Sequence, residues 1–222
     1  MKIISGEGQT AYEHTSEEVR DLIVSAVALS FAFTLTVFGG DRTFSFVLQP
    51  SFLKYFLITG VVVGLSLVAK EMAQKGTSRA LESYATYEIW PPGIVIAILS
   101  SFLGVVFAAV GGIVISSEYT ERAGRWQINL SPQQMGIIAS IGPLVNLTVG
   151  MGLVMLSPLV PMFGLERNIF LIGGEINALL ALFAMVPFGP VDGKKVLRWN
   201  TVIWLFIVAM SLAVFALTRG WL

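Results

Sequence analysis

The stretch "LVAKEMAQKG", Leu67 to Gly76, sets Lys70, Glu71 and Gln74 at the end of a long apolar run. A glutamate there can act as a general base if a zinc ion beside it supplies an activated water. A zinc-binding helix of that kind reads H-E-x-x-H, with two imidazoles one turn apart on one face. Lys70 and Gln74 occupy the two imidazole positions. A second set of reactive groups lies in "MVPFGPVDGKKVLRWN", residues 185–200, where Pro187, Pro190 and Gly193 break a helix and Asp192 sits in the broken part. A carboxylate so placed can be directed back among the helices, although taken alone it reads more simply as an exposed Asp in a polar turn. In "SIGPLVNLTVG", residues 140–150, Gly142 and Pro143 permit close approach or a kink. Asn146, in the same apolar helix, is expected to make an interhelical hydrogen bond.

The elements that must position these residues are set by composition. Of 222 residues, 55% are hydrophobic and 13% charged, against about 25% charged in a soluble domain. The chain therefore needs an apolar solvent. The clearest spans are Leu22–Phe38, Phe52–Ala69, Gly136–Leu159, Ile169–Val186 and Val202–Leu217, each close to the roughly 20 residues that cross a hydrocarbon core. Residues 1–21 form a polar N-terminal tail without the features of a signal peptide, and 22–222 a single transmembrane domain. Thr15 and Glu18 have capping-box spacing at the start of the first helix. His14, the single histidine, lies just ahead of them and is expected to be solvated. Trp90, Trp126, Trp199 and Trp221 fall near span ends, as suits rings at the headgroup level, and Trp204 lies in the first turn of the last helix. A net charge of zero points away from nucleic acid, and the absence of cysteine removes thiolate metal sites.

Basic residues orient the chain. Lys70, Lys75 and Arg79 form one cluster and Lys194, Lys195 and Arg198 another, so the Lys70–Arg79 and Asp192–Arg198 segments are both expected to be cytoplasmic. Two spans already lie between them. The further apolar stretch Gly93–Ile115, interrupted by Gly104, Gly111 and Gly112, should then enter and return rather than cross.

Together these three segments resemble the site-2 protease family of intramembrane zinc metalloproteases (peptidase family M50), closest to its compact archaeal members. "FGPVDGKKVLRWN" matches the family's aspartate segment, with Asp192 on the ligand. "IGPLVNL" matches its G-P-x-x-N motif, with Asn146 on the asparagine, and "KEMAQKGTSRA" aligns with the zinc helix, with Glu71 on the general base. The match runs from about residue 60 to 200 in the family's motif order. It implies an all-α polytopic membrane protein, a bundle of about five to six transmembrane helices with a re-entrant or short β-like insert after the zinc helix, in the cell membrane of an archaeon.

The departures bear on function. Lys70 and Gln74 replace both histidine ligands, and Ala184 stands where a further asparagine is usual. Catalytic zinc takes three protein ligands and keeps one open position. A lysine would have to lose its proton to serve, and an amide oxygen is a weak ligand. The expectation is therefore a catalytically inactive homologue, a pseudoprotease without zinc or other cofactor. Lys70, Glu71, Gln74, Asn146 and Asp192 are vestiges of the site. Lys70 either pairs with Asp192, taking over part of the metal's charge, or snorkels to the interface. The partners expected are the lipid bilayer and another transmembrane protein, bound as adaptor, subunit or regulator along a groove lined by Trp90–Ile115. The alternatives are an active endopeptidase with unconventional ligands and a transporter or channel component.

Overall fold

The computed structural model describes residues 16–37, 49–117, 130–159 and 167–221. His14, Thr15 and Trp126 lie outside them, and with them the proposed capping box. The chain is an all-α polytopic membrane protein. Four helical stretches, Ser16–Val37, Ser51–Ala80, Pro132–Leu159 and Thr201–Arg219, are long and apolar enough to cross a membrane.

In chain order the elements are α1 (Ser16–Val37), α2 (Pro50–Ala80), β1 (Ser83–Ile89), α3 (Pro91–Ser101), β2 (Gly111–Ser117), α4 (Pro132–Leu156), α5 (Ile169–Ala184), α6 (Gly193–Trp199) and α7 (Thr201–Arg219). Helix α2 shows why the bundle forms. Leu53, Leu57, Val61, Leu65, Val68 and Met72 recur every three or four residues and are exposed, a stripe suited to lipid. Tyr55, Thr59, Val63 and Leu67 lie on the other side and are buried. Against them pack Leu29 and Phe33 of α1 and Ile172 and Ile176 of α5. Thr34 Oγ1 and Thr59 Oγ1 are 2.9 Å apart, which satisfies two hydroxyls inside the α1–α2 contact. The contact of Thr34 with Thr59, and of Glu18 with Lys75, makes α1 and α2 antiparallel.

Helix α5 has 16 residues, short for a crossing, yet its residues from Ile172 to Ala181 are all buried. Sheathed by protein, it is apolar nearly all round, as an interior helix should be. Small residues let α4 close on it: a Cβ on Gly150 would lie 3.1 Å from the Cβ of Asn177.

The stretch after α2 forms a two-stranded antiparallel sheet, with Ser83 opposite Ser117 and Ile89 opposite Gly111. Trp90 N–H donates to the Val110 carbonyl at 2.6 Å, so the two ends of segment 91–109 are tied together. Between them α3, 11 residues long, runs out along α1 and the extended residues 105–110 run back. At 1.5 Å per residue α3 spans about 16 Å, roughly half the hydrocarbon thickness. Gly93–Ile115 thus leaves and returns to the same end of the bundle, which is what the placement of basic residues required.

Two extents and the tryptophan placement add to the sequence reading. Helix α1 starts at Ser16, where the spacing of Thr15 and Glu18 places a helix start, so residues 16–21, counted with the polar tail, are helical ahead of the apolar span from Leu22. Their carboxylates are used: Glu18 and Asp21 reach the backbone N–H groups of Tyr87 and Ile89 on the outer edge of β1. Helix α2 continues eleven residues past Ala69 to Ala80 because its last turns are buried by polar partners rather than by lipid. Trp90, Trp199 and Trp204 are half-buried and pack internally. The Trp204 indole donates to the Met185 carbonyl at 2.7 Å, and Trp199 closes over Gly136.

The native chain has no cysteine, so single cysteines report its topology directly. Cysteines replacing Glu82 and Arg198 should react with a membrane-impermeant maleimide from one side, and one replacing Lys54 from the other. Labelling of the Glu82 and Arg198 positions from opposite sides would contradict this fold.

Candidate functional site

The end of α2 carries two i,i+4 pairs on adjacent faces. Lys70 and Gln74 share one, Glu71 and Lys75 the next, since successive helical residues turn by about 100°. The faces meet different neighbours. All four residues are buried, Lys70 to 6% exposure and Gln74 to 0%.

The first face meets Asp192. The lead-in to α6 folds tightly against the end of α5, because a Cβ on Gly193 would collide with the carbonyl of Met185. That turn sends the Asp192 side chain inward, where it is 0% exposed. The exposed-turn reading of this residue is thereby set aside. Lys70 Nζ stands 3.2 Å from Asp192 Oδ2, so Lys70 pairs rather than snorkels. Gln74 Nε2 donates to the same oxygen at 3.2 Å and to the Ala139 carbonyl at 3.3 Å. Lys195 Nζ lies 3.7 Å from Asp192 Oδ1, one turn along α6. Burial lowers the pKa of the Lys195 ammonium, and the Asp192 charge opposes that shift. Gly142 of α4 admits this arrangement. A Cβ there would fall 2.6 Å from Gln74 Nε2 and 2.9 Å from Lys70 Cγ.

The second face meets α1 and β1. Lys75 Nζ is 2.7 Å from Glu18 Oε2 and 3.7 Å from Glu71 Oε1. Glu18 Oε1 accepts the Tyr87 backbone N–H at 2.7 Å. The Tyr87 hydroxyl, its pKa raised by burial, donates to Ser25 Oγ at 2.8 Å. Three ammonium groups (Lys70, Lys75, Lys195) thus face three carboxylates (Glu18, Glu71, Asp192) within one protein-enclosed region.

The structure brings Lys70, Gln74 and Asp192 together and sets Glu71 apart with Glu18 and Lys75. Asn146 is buried to 1%, but neither its amide oxygen nor its nitrogen has a hydrogen-bond partner among the described residues. The expected interhelical bond is not made among the described residues. Ala184 is part of an apolar cluster with Ala139, Ala181 and Met185. Glu18, Lys75, Lys195 and Tyr87 were not picked out as site residues from sequence. Two of them carried a signal: Lys75 is four residues from Glu71 and Lys195 three from Asp192, both within reach on a helix.

The donor set does not fit zinc. Among the described residues no three histidine, cysteine, aspartate or glutamate side chains converge. Both Asp192 oxygens face cationic or donor groups: Oδ2 the Lys70 ammonium and the Gln74 amide nitrogen, and Oδ1 the Lys195 ammonium at 3.7 Å.

Removing one member of a buried pair strands its partner, at about 3–5 kcal/mol. Asp192→Leu leaves the Lys70 ammonium without its carboxylate and should cost that amount in detergent unfolding. Lys70→Met should cost less, because Lys195 remains beside Asp192. Combining the two should recover stability relative to Asp192→Leu alone, and additive losses would contradict the pairing.

No family model matches the chain and no solved structure matches it. It is similar to a protein of Methanocaldococcus jannaschii named "Putative zinc metalloprotease", 27% identical over 197 residues, which cover 88% of this chain and 91% of that relative. The similarity extends over nearly the whole of both chains and supports descent from a metalloprotease family.

Proposed function

We propose that this chain is a pseudoprotease of the site-2 protease type that binds another membrane protein as adaptor, complex subunit or regulator. One observation carries the non-catalytic part: the Lys70 ammonium stands on Asp192, where the resemblance puts a metal. A protonated lysine supplies charge but no vacant coordination position and no water of lowered pKa. Glu71, aligned with the general base, adjoins Lys75 and Glu18 instead. Lys70, Glu71, Gln74, Asn146 and Asp192 are then structural residues, and no zinc is required.

The binding part rests on the insert. Val95, Leu99, Leu103 and Val105 are exposed apolar side chains on the hairpin-tethered segment, whose Ala97 and Val106 pack into the core. An apolar transmembrane segment of a partner is the occupant that such a face suits. By the positive-inside rule the end carrying Lys75, Arg79, Lys194 and Arg198 is cytoplasmic, and the membrane is the cell membrane of an archaeon.

The name of the relative favours one rival, a working metallopeptidase. Two measurements decide. A photo-crosslinker at Leu103 should give discrete adducts with one partner in native membranes, while the same group at Leu57, on the lipid-facing stripe of α2, should not. Reconstituted protein should cleave no transmembrane substrate. Cleavage abolished by Glu71→Gln would establish the rival, and identical adduct patterns at Leu103 and Leu57 would remove the binding role.

A further inference from the structure

A second charged site lies at the opposite end of the bundle, where α1 and α7 end and α5 begins. Glu175, two turns into α5, is 4% exposed. Arg167 Nη2 donates to its Oε2 at 2.7 Å, and Arg219 Nη2, from the last turn of α7, donates to its Oε1. Among the described residues the two guanidinium groups share this one carboxylate, and each has N–H donors without a hydrogen-bond acceptor. Both side chains are about one-third exposed, at 29% and 32%.

Beside them is a cavity of about 240 Å³ whose lining includes Glu175 and Arg219 together with the apolar Val106, Leu179, Phe215 and Trp221. The Arg219 guanidinium lies over the Phe215 ring, 5.3 Å from its centre, and Phe215 meets Trp221 edge to face. Trp221 is itself 71% exposed. Cationic donors thus sit at the rim of an apolar recess, at the helix ends where headgroups meet hydrocarbon.

We infer that this recess is a binding site for one anionic phospholipid, its phosphate on Arg219 and Arg167 and its glycerol and first methylenes against Leu179 and Val106. The charge argues for the class. Among the described residues two guanidinium groups stand against one carboxylate, which favours the negatively charged phosphatidylglycerol headgroup over phosphatidylcholine, which brings its own cation. Glu175 acts as the positioning residue: by holding both guanidinium groups it aims their remaining donors at the rim, and a planar fork of donors suits phosphate. The site is independent of the Lys70–Asp192 cluster and of any role assigned to it.

The test is lipid retention by delipidated protein in neutral detergent, read by native mass spectrometry on titration with phosphatidylglycerol or phosphatidylcholine. Wild-type protein should hold one phosphatidylglycerol about tenfold more tightly than phosphatidylcholine, the scale of one charge-assisted hydrogen bond. Arg219→Gln should abolish the preference. Leu179→Trp, which fills the recess without altering charge, should weaken phosphatidylglycerol binding and serves if the arginine variant fails to fold. Lys54→Gln, an exposed cation at the same end, should change nothing. Equal retention of the two lipids, or an equal loss in Lys54→Gln, would overturn the assignment. Inorganic phosphate that displaces the lipid at matched concentration would reduce the site to a simple anion site and overturn the lipid.

Discussion

A carboxylate with no exposure, Asp192, sets the terms for its end of the molecule. An isolated charge there is too costly to keep, so the fold must bring positive charge and hydrogen donors to it. It draws three groups from two helices: the Lys70 ammonium and Gln74 amide from α2, and Lys195 from the next turn of its own helix. Reaching that arrangement requires backbones to approach closely, which explains Gly142 on α4 and Gly193 at the start of α6. It also requires α2 to continue well past the apolar run, since Lys70 is followed by ten further helical residues. Those residues carry the second pair, Glu71 and Lys75, and so the α1–β1 contact through Glu18.

The two ion nests also tie the hairpin to the bundle. Glu18 holds Lys75 of α2 and the Tyr87 backbone of β1 at once, while Gly112 of β2 passes so close to the Asp192 loop that a Cβ would come within 2.9 Å of Val191 Cα. The hairpin is therefore clamped between the two charged faces of one helix end, and segment 91–109 is carried on it. An exposed apolar insert on a rigid mount is a reasonable device for recognising a neighbouring membrane protein. A buried ion pair adds little net stability. Its value here lies in fixing which helix faces meet.

Much of this was legible in sequence because of the solvent. Lipid demands long apolar helices, so the apolar helices and the return of Gly93–Ile115 followed from hydropathy and basic residues. Asp192 and Lys70 could be paired because one motif placed the carboxylate and another the ammonium. The partners of Glu71 were harder. Lys75 was read for the side of the membrane and Glu18 for a helix cap, and only the antiparallel contact of α1 with α2 brings them together across 57 residues. Asn146 did not follow the general rule: a buried amide in an apolar helix usually bonds across the interface, but among the described residues this one has no partner. The outer edge of β1, covered by carboxylates of α1, left no periodic trace at all.

The most direct measurement is the metal content of the chain purified without chelator, set beside Lys70→His/Gln74→His, which restores two imidazoles next to Asp192. If the ammonium holds the metal's place, the wild-type chain carries no more zinc than Asp192→Ala does, and the double variant gains zinc that is lost again when Asp192 is also replaced. One zinc per wild-type chain, released by Asp192→Ala, would mean that Asp192 is a ligand in a working site and that its pairing with Lys70 is not the resting state.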